Sequence, residues 1–144
     1  MLHHVSLPVS DIAASTRLYD AAMGALGYRR VCTAEGFVGY GLHDDEDQLA
    51  LMQTSDPGVA RPRFHLALAA PTQAAVVAFH EAALLHGATD DGAPGLRPHY
   101  GDHYYAAFII DLDGNRIEAV HNEAAASLVG QASGAVSPNS SHGR

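Results

Sequence analysis

The chain has 144 residues, 47% of them hydrophobic, with 16 acidic against 8 basic side chains and a formal charge of −8. That size and apolar content suffice for one domain with its own core, and the negative charge repels phosphate backbones and anionic membranes, so nucleic acid is excluded as an expected partner. A single cysteine, Cys32, rules out a disulfide framework, and the opening MLHHVSLPVSD has neither a charged n-region nor a long apolar h-region, which with no apolar run near the roughly 18 residues of a membrane span predicts a soluble cytoplasmic protein.

Leu2 to Val9 alternates in the manner of a half-buried strand. Ser10 or Asp11 can cap the helix that follows, whose apolar side carries Ile12, Tyr19, Met23 and Leu26, and Gly27 ends it. Short strands are predicted over Tyr28 to Thr33, Phe37 to Leu42 and Gln48 to Gln53, so the first half reads βαβββ. Cys32 has no partner base around it and reads as an ordinary strand residue. The acidic loop His43 to Asp47 lacks the spacing and glycine of a calcium loop and reads as a solvated connection.

Residues 54–63, with two prolines, read as a turn or linker. The order then repeats: a strand from Phe64 to Ala69, Thr72 as N-cap, and a helix to His86 closed by Gly87. His80 and His86 are expected at the surface, His86 favourably at a helix C-terminus. A short strand over Ala88 to Asp90 leads into Asp91 to Asp102, long enough for a binding loop or lid. His103 to Asp111 and Asn115 to His121 form a hairpin around Leu112-Asp113-Gly114. The tail from Glu123, rich in Ala, Ser and Gly, has too little apolar content to pack by itself.

The two halves align. His4 falls on His65, Leu7 on Leu68 and Asp11 on Thr72, and after a one-residue gap Tyr19 falls on Phe79 and Gly27 on Gly87. Neither copy could bury its apolar face alone, so one domain is expected over 1–122, with module one 1–53, the linker 54–63, module two 64–122 and a tail 123–144. Strand parity sets His4, Ser6 and Pro8 against Val5, Leu7 and Val9, and His65, Ala67 and Ala69 against Leu66 and Leu68. The apolar sides should cover the helices, so both histidines point to the open face. Glu118 sits within the apolar strand NRIEAV, where an unpaired carboxylate is costly and a metal would remove the cost.

These motifs, HHVSLPVSD with RLYDAAMGALGY, the second-module FHLAL, and DLDGNRIEAV, resemble the vicinal oxygen chelate superfamily, which includes glyoxalase I, fosfomycin and bleomycin resistance proteins and extradiol dioxygenases. The likeness runs from about Leu2 to His121. It implies an α+β fold in which two βαβββ modules form a cupped eight-stranded mixed sheet with the helices outside. It also implies a divalent metal (Fe, Mn, Ni or Zn) held by His4, His65 and Glu118. Ala50 stands opposite Glu118 where glyoxalase I has a further ligand, and the family turn Asp-Pro-x-Gly-Asn appears as Asp111-Leu112-Asp113-Gly114-Asn115.

Alone, His4 or His65 would be an ordinary core or surface histidine. Their equivalent places in a repeat, together with Glu118, point to a metal site. Two histidines and a carboxylate leave positions open for water and a bidentate oxygen ligand, which suits Lewis-acid work on vicinal oxygens. Two modules, where an extradiol dioxygenase normally has four, weaken that activity; Ala50 weakens glyoxalase I; the absence of a basic cluster weakens phosphonate chemistry. The expectation is a glyoxalase-like enzyme of lyase, isomerase or thiol-transferase type acting on a small molecule. The alternative is a metal-free module that sequesters a drug or metabolite. His99, His103 and Tyr105 are candidates for catalytic proton transfer, with Arg97 and Tyr104 for substrate binding. Parity separates His103 and Tyr105 from Tyr104, and only one set can enter the cup. A homodimer is expected, its cups built within one chain or from modules of two exchanged chains.

Overall fold

The computed structural model describes residues 2–44, 46–56 and 65–123. Most of the linker and the tail from residue 124 onward therefore lie outside the described residues. The first module consists of β1 (Val5–Val9), α1 (Ile12–Ala25), β2 (Arg29–Ala34), β3 (Phe37–Gly41) and β4 (Leu49–Gln53). The second consists of β5 (His65–Ala69), α2 (Gln73–Leu85), β6 (Thr89–Leu96), β7 (Tyr104–Ile110) and β8 (Arg116–Asn122).

Equivalent residues do equivalent work in the two copies. Asp11 caps α1 by accepting from the Ala14 amide, and Thr72 caps α2 by accepting from the Ala75 amide. Gly27 and Gly87 take φ of 88° and 97° just past the helices, a region that side chains with a Cβ rarely enter. In each module the first strand runs parallel to the fourth and the others are antiparallel, in the orders β1-β4-β3-β2 and β5-β8-β7-β6. The eight strands thus form two four-stranded sheets, and among the described residues β1 and β5 each pair with one neighbour only. Ala50 pairs with Ser6 where Glu118 pairs with Ala67, which places these two residues at equivalent points of the repeat.

The apolar stripes of α1 and α2 pack on the sheets and on each other. Leu18, Tyr19 and Met23 of α1, Val76 and Phe79 of α2, and sheet residues such as Leu7, Leu51, Ile109 and Ile117 belong to one buried cluster that spans both modules. Each such side chain contributes about 1.5–3 kcal/mol through burial. No described helix is long and apolar enough to cross a membrane.

Polar ties also join the modules. Tyr19 Oη on α1 donates to Asp111 Oδ2 at 2.7 Å, in the turn between β7 and β8, and the Ser10 amide donates to Asp113 Oδ1 at 3.0 Å. Burial, reinforced by the Asp111 charge, pushes the Tyr19 hydroxyl well above its ordinary range, so it remains a donor. The turn Asp111-Leu112-Asp113-Gly114-Asn115 is therefore anchored on the first module.

Two expectations need correction. The sequence suggested a short strand followed by a loop from Asp91, whereas β6 continues to Leu96 and the connection to β7 is only 97–103. Its Gly and Pro content looks loop-like, but the register shifts between Asp90 and Gly92 and between Gly92 and Gly95 are bulges that let the strand continue. His80 is buried rather than superficial; its Nε2 lies 2.9 Å from Asp90 Oδ1. The hydrogen bond from His80, with one from the Gly92 amide, holds the Asp90 carboxyl below its ordinary value. His86 is exposed, its Nδ1 2.8 Å from the Ala82 carbonyl at the end of α2.

Candidate functional site

The register of β8 decides which side chains share its open face. Glu118 lies opposite Ala67 of β5 and Phe108 of β7, so His65, Ala67, Tyr104, Ala106, Phe108, Arg116 and Glu118 point to one side. Ile117, Ala119, Ala107 and Ile109 point to the helices and belong to the core.

Glu118 is only 1% exposed. Both its oxygens are engaged: Oε2 lies 2.7 Å from His65 Nε2, and Oε1 accepts from Tyr104 Oη at 2.6 Å. A buried carboxylate without partners would be strongly disfavoured, so His65 and Tyr104 are what permits an acidic residue here. Burial, followed by the Glu118 contact, raises the Tyr104 hydroxyl above its ordinary range and keeps it protonated at neutral pH. Tyr104 is backed in turn by Tyr100, with ring centroids 5.3 Å apart, and Tyr100 by His99 at 4.2 Å.

The donors suit a divalent ion. An imidazole nitrogen and a carboxylate oxygen already in contact, with the second oxygen fixed by a hydroxyl, form the kind of N/O pair that binds Fe, Mn, Ni or Zn. His4 does not join them. Its Nδ1 lies 3.0 Å from Nδ1 of His3, and it borders a cavity of about 230 Å³ between β1 and β5, lined among others by Met23, Leu66 and Leu68. Among the described residues no third His, Cys, Asp or Glu completes a group with His65 and Glu118.

The remaining sequence candidates separate cleanly. Tyr104 enters the site, but Tyr105 pairs with His121 on the opposite face and packs against the core, so its proposed proton-transfer role does not fit the fold. His103 is exposed at the start of the hairpin. His99 reaches Glu118 only through Tyr100 and Tyr104. Arg97 stands beside the site, its guanidinium carbon 5.5 Å from the centroid of the Phe108 ring.

Phe108 and Arg116 were not singled out by the sequence. Phe108 is 4% exposed although it lies on the open face, because Arg97 and Arg116 lie against its ring, the latter at 4.5 Å. The signal was present: Arg116 shares parity with Glu118, and only the hairpin register was needed to bring Phe108 opposite.

The sequence profile of the Glyoxalase/Bleomycin resistance protein/Dioxygenase superfamily matches residues 1–119. The chain belongs to this superfamily. A crystal structure of a superfamily member, a glyoxalase/bleomycin resistance protein from Albidiferax ferrireducens T118, is 28% identical with a TM-score of 0.72, over 83% of this chain and 97% of that one. A glyoxalase-related enzyme from Fulvimarina pelagi shares the fold at 21% identity and a TM-score of 0.65, over 85% of this chain and 88% of that one. A superfamily enzyme from Burkholderia phytofirmans PsJN does so at 19% and 0.62, over 84% of this chain and 98% of that one. No curated protein matches.

Proposed function

We propose that this superfamily member is a divalent-metal-dependent enzyme acting on a small molecule with vicinal oxygens, by lyase, isomerase or thiol-transferase chemistry, and that its site is shared between two copies of the chain. The observation that carries the reading is the His65–Glu118 contact at 2.7 Å on a carboxylate that is almost wholly buried. His65 and Glu118 would hold the ion, and His4 of a second copy would supply the third donor that is not found beside them among the described residues of one chain. When bound, the ion supplies Lewis-acid polarisation of the substrate's oxygens.

The chain's own groups do the rest. Tyr104 Oη donates to Glu118 Oε1 and so aims Oε2 at the imidazole side. Tyr100 meets Tyr104 edge-on, and His99 lies against Tyr100. Ala67 and Ala69 on β5 are small and exposed, leaving room for substrate over the open face. His99 and His103, on the connection between β6 and β7, are the candidates for passing a proton to or from the substrate.

Reconstitution of untagged protein with Fe, Mn, Ni or Zn, followed by metal analysis by mass spectrometry, tests the reading. Near-stoichiometric metal is expected in the wild type, falling by at least about tenfold in His65→Ala. No bound metal with any of the four would overturn it and assign the fold to metal-free sequestration.

A further inference from the structure

We infer that the substrate of this site carries a carboxylate, held by Arg97 beside the metal-binding pair. The inference rests on the proposed function for the neighbouring vicinal oxygens and adds the class of molecule that bears them.

Two guanidinium groups lie against the Phe108 ring, and they differ in commitment. Arg116 Nε donates to Asp91 Oδ2, so its charge is balanced. Arg97 donates through Nη2 to the Ala93 carbonyl at 2.7 Å and through Nη1, at 3.4 Å, to the Leu96 carbonyl; among the described residues it meets no carboxylate. Those two backbone bonds fix the orientation of the guanidinium but leave its charge unneutralised, on a chain whose net charge is −8. Such a group is ready for an anionic ligand.

Its setting is built around it. A Cβ on Gly92 would lie 3.4 Å from Arg97 Nη2 and 2.9 Å from Phe108 Cδ2, and one on Gly95 would lie 3.2 Å from Nη1. The two glycines therefore let the guanidinium settle over the bulged β6 backbone. Phe108, which it covers, is 5.9 Å from the His65 ring and directly opposite Glu118. A molecule whose carboxylate sits on Arg97 would extend along Phe108 toward His65 and Glu118. The site is half-exposed, so water competes and a single charge-assisted contact contributes selectivity of about tenfold.

Amide NMR titration of the full chain with lactate, propylene glycol and inorganic phosphate tests this in chelator-treated and in Zn2+-loaded protein. In the chelator-treated protein lactate is expected to shift the Gly92, Gly95 and Arg97 amides and to bind about tenfold more tightly than the uncharged diol; in the Zn2+-loaded protein the same amides are expected to shift. Arg97→Gln should abolish that preference, and Arg97→Lys should restore part of it, with the remaining amide spectrum unchanged in each. Equal binding of lactate and diol, or an Arg97→Gln variant with the wild-type preference, would overturn the inference; tighter binding of phosphate than of lactate would overturn the carboxylate assignment. Lactate binding that needs Arg97 in a protein that takes up no Zn2+ would sink the metal reading and leave this one standing.

Discussion

Glu118→Ala is expected to weaken divalent-metal binding at least about 100-fold, because loss of an outer-shell partner alone typically costs 10–100-fold and Glu118 is a proposed direct ligand. The fold should survive. The removed carboxylate is the group whose burial is costly, and its partners have alternatives: the His65 side chain is 37% exposed and can turn to water, and Tyr104 is only half-buried. Glu118→Gln sharpens the test, since it preserves shape and leaves an oxygen to accept from Tyr104 while removing the charge that a cation needs. Isothermal titration with Zn2+ or Mn2+ reads the affinity, and a thermal midpoint close to wild type separates lost binding from unfolding. Both variants binding metal like the wild type would show that Glu118 is no ligand.

Asp111→Ala is expected to destabilise the protein by about 3 kcal/mol or more, since each donor left unpaired in a buried place costs about 1–3 kcal/mol. Asp111 is 6% exposed and accepts four hydrogen bonds: from Tyr19 Oη at 2.7 Å, the Asn115 amide at 2.7 Å, Asn115 Nδ2 at 2.9 Å and the Asp113 amide at 3.0 Å. The first crosses from module two to module one; the others hold the turn that sets the β7–β8 register. For a domain of this size the melting temperature should fall by on the order of 10 °C. Tyr19→Phe removes only the crossing bond and should cost less. A melting curve for Asp111→Ala within a degree or two of wild type would contradict this account of how the modules are joined.

Much of the architecture was legible because the repeat is written in residues with local physical consequences. Asp11 and Thr72 cap, Gly27 and Gly87 take positive φ, and the alternation around Leu7 and Leu68 separates the helix side from the open side. The long β6 was hidden because GAPG signals a loop unless a partner strand is present to absorb two bulges. The choice between Tyr104 and Tyr105 was likewise beyond parity alone. It depends on the pairing of Tyr104 with Asn122 and Phe108 with Glu118, which the Asp111–Asn115 turn fixes. His80 looked superficial because its partner, Asp90, is ten positions along the chain and arrives only with the packing of β6. The convergence of His4 with His65 and Glu118 was read from equivalence in the repeat, but equivalence says which face a side chain takes and nothing about how one module sits against another.

The shared site is tested most directly by mixing two defective proteins, His4→Ala and Glu118→Ala, under conditions that let copies exchange, and measuring bound metal. If His4 of one copy meets His65 and Glu118 of another, every mixed pair contains one intact site. Random exchange makes half the pairs mixed, so about a quarter of the wild-type metal should return although neither protein binds it alone. Metal that stays at the level of the separate variants while mixed pairs are seen by native mass spectrometry would contradict the shared site.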